Sequence, residues 1–321
     1  MVNLYQLQIF VAASERGSFS AAAEEFNLTQ PGVSQHIRVL EDTYKVKLFN
    51  RNGPRIELTE AGRRLLEAAR PLIEQAALLE ESFSAGLGEI RGRISLTYTK
   101  NTTAGLYLLP DLLSQFHRRH EAVRFSLVQA AEEIALERLQ DRETHLALLN
   151  RPPRQKSIES LLLHADELVL VLPPGHPWHN TQVDLADLKK QPFLMRASGS
   201  ETRRRTEIVL RAAGLNLNDL EVVAEIDSVE GIILAAQAGL GIGLASQVVT
   251  RRFAGTGQVG YAHIKLAESK NEPVLDLKRE IFVVRLAAAP GIERAPSLER
   301  LWEFFRYYLH TVEDSGLNVI R

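Results

Sequence analysis

The sequence predicts an α plus α/β protein: an N-terminal winged helix-turn-helix, a long linker helix, and a C-terminal two-lobed α/β domain. Three observations carry this. Residues 18–41 read as two short helices joined by a tight turn, and residues 48–59 set two apolar stretches around a Gly-Pro turn. From Arg93 onward, short strand-like runs alternate with helical periodicity.

Ser18 is placed to cap the first helix, and Ala21, Ala22 and Ala23 let a second helix approach closely. Asn27-Leu28 breaks the run. Thr29 then caps the next helix, and Pro31 falls in its first turn, where a missing N–H does no harm. Val33, Ile37, Leu40 and Tyr44 recur at helical spacing and are expected to face inward. That leaves Gln30, Pro31, Ser34, Gln35 and Arg38 pointing outward, residue types that read base edges or hold phosphates in a DNA major groove. Helical hairpins also occur in many domains that bind no DNA, so the next segment decides. Leu48 to Thr59 carries Arg51 and Arg55 on either side of Gly53-Pro54, the pattern of a small β-wing lying along a phosphate backbone.

The stretch from Leu4-Tyr-Gln-Leu-Gln-Ile-Phe10 through Gly17-Ser-Phe-Ser-Ala-Ala-Ala23 continues with Gln30-Pro31, Val33-Ser34, Leu40-Glu41, Leu48-Phe49, Arg51 and Leu58-Thr-Glu-Ala-Gly62. It resembles the DNA-binding domain of the LysR-type transcriptional regulators, over about the first fifth of the chain. One position departs. Where that family usually has Gly after the recognition helix, this chain has Lys45, so the left-handed turn that Gly favours is either strained or built otherwise.

Composition is that of an ordinary globular protein, with 45% hydrophobic residues and a formal net charge of −2 over 321 residues. There are no cysteines, which excludes disulfides, thiolate metal sites and cysteine nucleophiles and fits a reducing compartment. Met1-Val2-Asn3 leads straight into an amphipathic helix without a signal-peptide layout, and no apolar run is long enough to span a bilayer, so a cytoplasmic location without membrane contact is expected. Bulk charge gives DNA binding little support, since residues 1–65 carry eight Lys or Arg against seven Asp or Glu. Distribution does better: Arg38, Lys45, Lys47, Arg51 and Arg55 cluster on the recognition helix and wing, away from Glu15, Glu24 and Glu25. So small a phosphate footprint suggests affinity built by multivalency.

From Thr59 to Ser84, Leu65, Ala69, Leu72, Ala76, Leu79 and Phe83 alternate in steps of four and three. This is a heptad seam, though the same pattern also suits a helix packed on its own domain. Pro71 lies off it and is expected to kink the helix. The resemblance implies that this linker helix joins two DNA-binding domains and that the assembly is a dimer of dimers, a homotetramer on double-stranded operator DNA. Gly86-Leu-Gly88 with Gly92 then reads as a flexible exit.

Arg93–Tyr98, Val123–Val128, His145–Leu149, Leu168–Leu172, Phe193–Met195, Val222–Ile226, Tyr261–Ile264 and Ile281–Val284 read as strands. Helices are expected around Leu106–His120, Ile134–Asp141 and Leu298–Leu309, and two α/β subdomains fit the series. The resemblance implies a periplasmic-binding-protein-like effector domain. It would cross between lobes near His164–Glu167 and return within residues 265–280, with Glu268–Lys278 as a loop of this protein's own. The expected domains are thus 1–58, 59–88 and 89–321, with lobe 1 at about 93–165 and 270–321 and lobe 2 at about 166–269.

Three predicted helix starts carry small hydroxyl or amide residues: Asn101-Thr102-Thr103, Ser198-Gly199-Ser200 with Thr202-Arg203, and Asp227-Ser228. Free backbone N–H groups and the positive dipole end make such starts ready anion sites, although each also suits plain capping. Facing one another across a cleft, they would hold a small anionic metabolite as co-inducer. The resemblance adds that Gly199–Arg203 matches the family's effector-contact loop and that Asn101–Thr103 aligns with its Ser/Thr-rich first site. Asn150, just beyond a strand, is a further candidate. No cofactor is expected. His117/His120 and His176/His179 lack a third metal ligand, and Gly239-Leu-Gly-Ile-Gly243 reads as a turn before a buried strand. No catalytic constellation is evident, so an enzyme is not expected. Residues 93–321 alone would also allow a solute-binding receptor, a reading that the winged segment opposes.

Overall fold

The computed structural model describes residues 3–50, 56–99, 103–265, 277–288 and 294–315. Helix α1 (Leu4–Arg16) begins at Asn3, whose side chain accepts from the Tyr5 N–H, and ends at Gly17 with φ +59°. Ser18 and Thr29 cap α2 (Phe19–Glu25) and α3 (Gln30–Tyr44), as their hydroxyls predict. Buried Leu7, Phe10, Ala22, Ala23, Val33, Ile37 and Phe49 join these helices into one core. Strands β1 (Phe49–Asn50) and β2 (Glu57–Leu58) pair antiparallel as the base of the wing. Its tip, including Arg51 and Arg55, lies outside the described residues.

Helix α4 (Glu60–Gly86) starts at Thr59 and continues through Pro71. Its first turn presses on the wing base so closely that a Cβ on Gly62 would stand 2.2 Å from the Leu48 carbonyl oxygen. The heptad stripe divides in two. Ala69 is buried, and Leu65 half-buried, against the chain's own winged core. Leu72, Leu79 and Phe83 are 50%, 60% and 72% exposed. The helix-on-its-own-domain pattern therefore holds for the first turns, and an unpartnered apolar stripe remains for the rest.

The C-terminal part is built on a ten-stranded sheet. Strands β3 (Arg91–Thr99), β4 (Ala122–Ala130) and β5 (Leu146–Leu149) run parallel, and β12 (Lys278–Leu286) pairs antiparallel to β5. Helices α5 (Thr103–His117) and α10 (Pro296–Ser315) cover one face through Leu109, Phe116, Leu301, Trp302 and Phe305. Helix α6 (Glu132–Gln140) covers the other. Strand β6 (Ile158–Leu172) is fifteen residues long, and only its last third was expected from the sequence. Its first part pairs with β12 as far as Glu167, and its last residues pair with β10 (Ile242–Ser246) and β11 (Gly260–Lys265). The chain thus passes from one lobe to the next inside a single strand. In the second lobe β8 (Pro192–Arg196) lies parallel to β10 and to β9 (Glu221–Ile226), with α7 (Glu201–Ala212), α8 (Val229–Gln237) and α9 (Gln247–Ala254) against the sheet. A short strand β7 (Gln182–Asp184), not expected, pairs with β11. Most of the expected loop Glu268–Lys278 lies outside the described residues, and Lys278 itself already belongs to β12.

Linker helix and first lobe are tied together. Arg70 pairs with Glu143 and, at 3.4 Å, with Glu15 of α1; Arg142 pairs with Glu74 at 3.1 Å. Glu81, buried, accepts from the Ser297 N–H at 3.3 Å and hydroxyl at 2.8 Å. No helix among the described residues is long and apolar enough to cross a membrane.

Candidate functional site

Two sites emerge. On α3 the inward positions Val33, Ile37 and Leu40 are 0%, 0% and 2% exposed, which fixes the helix's rotation. Gln30, Pro31, Gln35 and Arg38 are exposed and Ser34 is half-buried, so the predicted polar row faces outward along one side. Tyr44 does not face inward as expected: it is 39% exposed, and the next buried position is Glu41. The reason is a backbone group that needs an acceptor. Glu41 takes the Leu48 N–H at 2.9 Å on one oxygen and Lys47 Nζ at 2.8 Å on the other. Burial opposes ionisation there, yet the hydrogen bonds from Lys47 and from the Leu48 and Phe49 backbone hold the carboxyl below its ordinary range. Recognition helix and wing are therefore braced by a buried carboxylate that apolar periodicity did not disclose. Lys45 ends α3 with φ +57°, so the chain uses a left-handed cap with a side chain where glycine would be unstrained.

The second site lies where parallel strands end, the usual place for ligands in open α/β sheets. In the first lobe the β3–α5 connection holds Asn101 and Thr102, outside the described residues, and Thr103, the first residue of α5. Asn150 follows β5, and its Oδ1 is buried with no hydrogen-bond partner among the described residues. In the second lobe the β8–α7 loop runs through Ser198, Gly199 and Ser200. The Ser198 N–H donates to Glu225 at 3.3 Å, Gly199 has φ +85°, and the Ser200 hydroxyl caps α7 by accepting the Arg203 N–H at 3.1 Å. Ser228 caps α8 in the same way, 2.9 Å from the Gly231 nitrogen. Both serines act as caps, but a capping hydroxyl accepts through oxygen and keeps its own proton to donate. Thr202 is buried. Arg203 is committed to Glu225 at 2.6 Å, Glu207 at 3.0 Å and the Arg196 carbonyl at 3.2 Å, and its hydrogen bonds with Glu225 and Glu207 raise its pKa further.

The lobes meet beside these loops. Tyr107 of α5 donates to Glu230 of α8 at 3.1 Å, and Arg252 of α9 reaches back to the Tyr107 carbonyl at 2.7 Å and to Asp111. Burial, reinforced by Glu230, pushes the Tyr107 hydroxyl up to about 12. Sequence reasoning missed Arg196, which stands buried at the end of β8. It donates to the carbonyls of Ile226 at 3.2 Å and Asp227 at 2.6 Å, and burial depresses its pKa. The only available signal was a charge closing the apolar run Phe193-Leu-Met195. No group of three His, Cys, Asp or Glu able to hold a metal occurs among the described residues.

A helix-turn-helix with an exposed polar row, joined by a long helix to two lobes whose strand ends meet, defines the class of ligand-responsive DNA-binding regulators. Residues 4–63 match the bacterial regulatory helix-turn-helix of the lysR family, and residues 87–309 match the LysR substrate binding domain. The chain belongs to the LysR family: it is a sequence-specific DNA-binding transcriptional regulator with a C-terminal effector-binding domain. It is 35% identical over 260 residues to the HTH-type transcriptional regulator CfxR of Cupriavidus necator, covering 81% of this chain and 80% of that one. Full-length CbnR complexed with its target DNA has a TM-score of 0.60 at 24% identity over 95% of this chain and 99% of CbnR. The CcmR regulatory domain of Synechocystis PCC6803, in complex with 2-PG, has a TM-score of 0.53 at 22% identity over 68% of this chain and 97% of that domain. At these identities the two structural likenesses concern the fold alone.

Proposed function

We propose that Gln30, Pro31, Ser34 and Gln35 read base edges in the major groove, that Arg38 takes a base or a phosphate, and that Arg51 and Arg55 hold the flanking backbone or minor groove. The observation that carries this is the rotation of α3, which buries its apolar side and turns that row to solvent. The domains are 1–58, 59–88 and 89–321, and the exposed stripe of Leu72, Leu79 and Phe83 joins α4 to the same helix of a second copy. Two such dimers on one operator would supply the phosphate contacts that a nearly neutral domain lacks. The protein acts by binding, with no chemical step of its own, in the cytoplasm where its DNA lies.

Quantitative mobility shifts test the assignment. Ser34→Ala is expected to weaken operator binding about fivefold with little change on random DNA. Arg51→Ala is expected to weaken both and to lower the salt slope by about one. Equal losses on operator and random DNA for the two variants would contradict this division of labour.

The effector is a small anion held between the lobes by the starts of α5, α7 and α8, with Ser198, Gly199, Ser200, Ser228, Asn150, Asn101, Thr102 and Thr103 around it. Three helix starts that carry hydroxyl or amide residues support a negative ligand, and the Asn150 Oδ1, without a partner among the described residues, is an acceptor for a ligand hydroxyl. That CcmR, a relative in fold, is in complex with 2-PG points the same way. Arg203 orients the loop through Glu225 rather than meeting the anion directly. A thermal-shift screen of small carboxylates and phosphate esters, 2-PG included, is expected to find one that raises Tm with concentration and loses that effect in Ser200→Ala/Ser228→Ala. A specific ligand that is cationic would overturn the assignment.

A further inference from the structure

A chamber of about 490 Å³ lies away from the interlobe cleft, walled by α1, α4 and the first lobe. That is within the range of small-molecule sites, roughly 300–1,000 Å³. Much of its wall is apolar: Ile73, Ala77 and Leu78 come from α4 and Leu139, Leu286 and Leu298 from the lobe. Polar groups also line it, and three of them have hydrogen-bonding capacity to spare. Arg70 binds its carboxylates through one terminal nitrogen, and the other makes no hydrogen bond among the described residues. His145 is held neutral by burial, and its Nδ1 accepts the Ser95 N–H at 3.0 Å, so its remaining proton sits on Nε2. Arg93 also lines the chamber and has no ion pair among the described residues. All three are donors.

We infer that this chamber is a second ligand site, distinct from the interlobe cleft, and that it takes a small carboxylic acid with an apolar body. The aliphatic wall receives the body, and Arg70, His145 and Arg93 receive the carboxylate. Of the four acids that line the chamber, Glu15 and Glu143 pair with Arg70, Glu74 pairs with Arg142, and Glu81 accepts from Ser297. Because Val11 and Glu15 of the DNA-binding domain share the wall with the first lobe, a ligand here fastens the two domains in one relative orientation. It thereby acts on operator geometry without opening or closing the lobes.

Calorimetric titration of the full-length protein with 4-methylpentanoate, against the uncharged 4-methylpentanamide, tests this. The acid is expected to bind once per chain and at least about tenfold more tightly than the amide. Ala77→Trp, which fills the chamber from α4, and Arg70→Met, which removes the donor, are each expected to abolish binding. Ser200→Ala/Ser228→Ala, altered only in the interlobe cleft, is expected to bind as before. The inference fails if the acid does not bind by about 10 mM, if the amide binds equally, or if Ala77→Trp retains affinity. It also fails if the cleft variant alone loses binding, because the acid then occupies the cleft.

Discussion

Asp166→Ala is expected to destabilise the effector domain by about 3–5 kcal/mol, because it strands a buried guanidinium. Asp166 is fully buried where β6 leaves one lobe for the other, and the Arg279 side chain beside it is 4% exposed. One carboxylate oxygen accepts from Arg279 Nε at 2.6 Å, and the other accepts the Val248 N–H at 3.3 Å in the first turn of α9. Arg279 already has one terminal nitrogen without a partner among the described residues. Deleting the carboxylate leaves the whole guanidinium without a counter-charge and frees a helix N–H as well. Replacing both partners, Asp166→Leu with Arg279→Met, is expected to recover most of the loss, since the two desolvation costs disappear together. Urea unfolding followed at Trp178, in the second lobe, and Trp302, in the first, reads the effect on each side of the crossing. A midpoint unchanged in Asp166→Ala would show that the pair contributes nothing to the junction.

That junction illustrates which parts of the fold were legible in the sequence. Short runs of uniform environment, such as Leu146–Leu149 and Ile242–Ser246, are buried throughout and present themselves as apolar runs. Strand β6 does not, because its first ten residues include Glu159, His164, Asp166 and Glu167. Two of those carboxylates are neutralised by arginines more than a hundred residues away, Arg285 on Glu159 and Arg279 on Asp166. No local pattern can show a partner so distant. Glu41 is the same lesson on a smaller scale: helical spacing counts apolar side chains, whereas the buried position was filled by the group that the Leu48 N–H required.

Capping serines were legible because their requirement is local, one hydroxyl for one N–H within three residues. Their placement at one edge of each sheet was not. It depends on the parallel pairing of β3 with β5 and of β8 with β9 and β10, which places the strand ends of each lobe at one edge. The run Arg203-Arg204-Arg205 shows the converse. All three charges look available in the sequence, and in the fold each finds a carboxylate, Glu225 and Glu207 for the first and Glu201 for the other two.

Phe83→Glu is expected to break the assembly while leaving the chain folded. Phe83 is 72% exposed, so in an isolated subunit its ring contributes almost nothing to stability and a carboxylate there is tolerated. Against a second copy the balance reverses. A Phe removed from water gains about 1.5–3 kcal/mol, and a two-fold seam counts each such residue twice. With Leu79 and Leu72 on the same stripe, two α4 helices are expected to pair along it. Glutamate forfeits the burial and sets two like charges across the axis. Sedimentation is expected to show a smaller assembly with an unchanged Tm for the winged core. Operator affinity is expected to fall by about 10²–10⁴-fold, because the second binding event ceases to be intramolecular. Binding to a half-site fragment should be nearly unaffected, since Gln30, Ser34 and Gln35 are untouched. Were Phe83→Glu/Leu79→Glu to sediment as the parent does and keep its operator affinity, the exposed stripe would not be the seam, and multivalency would have to arise from another face.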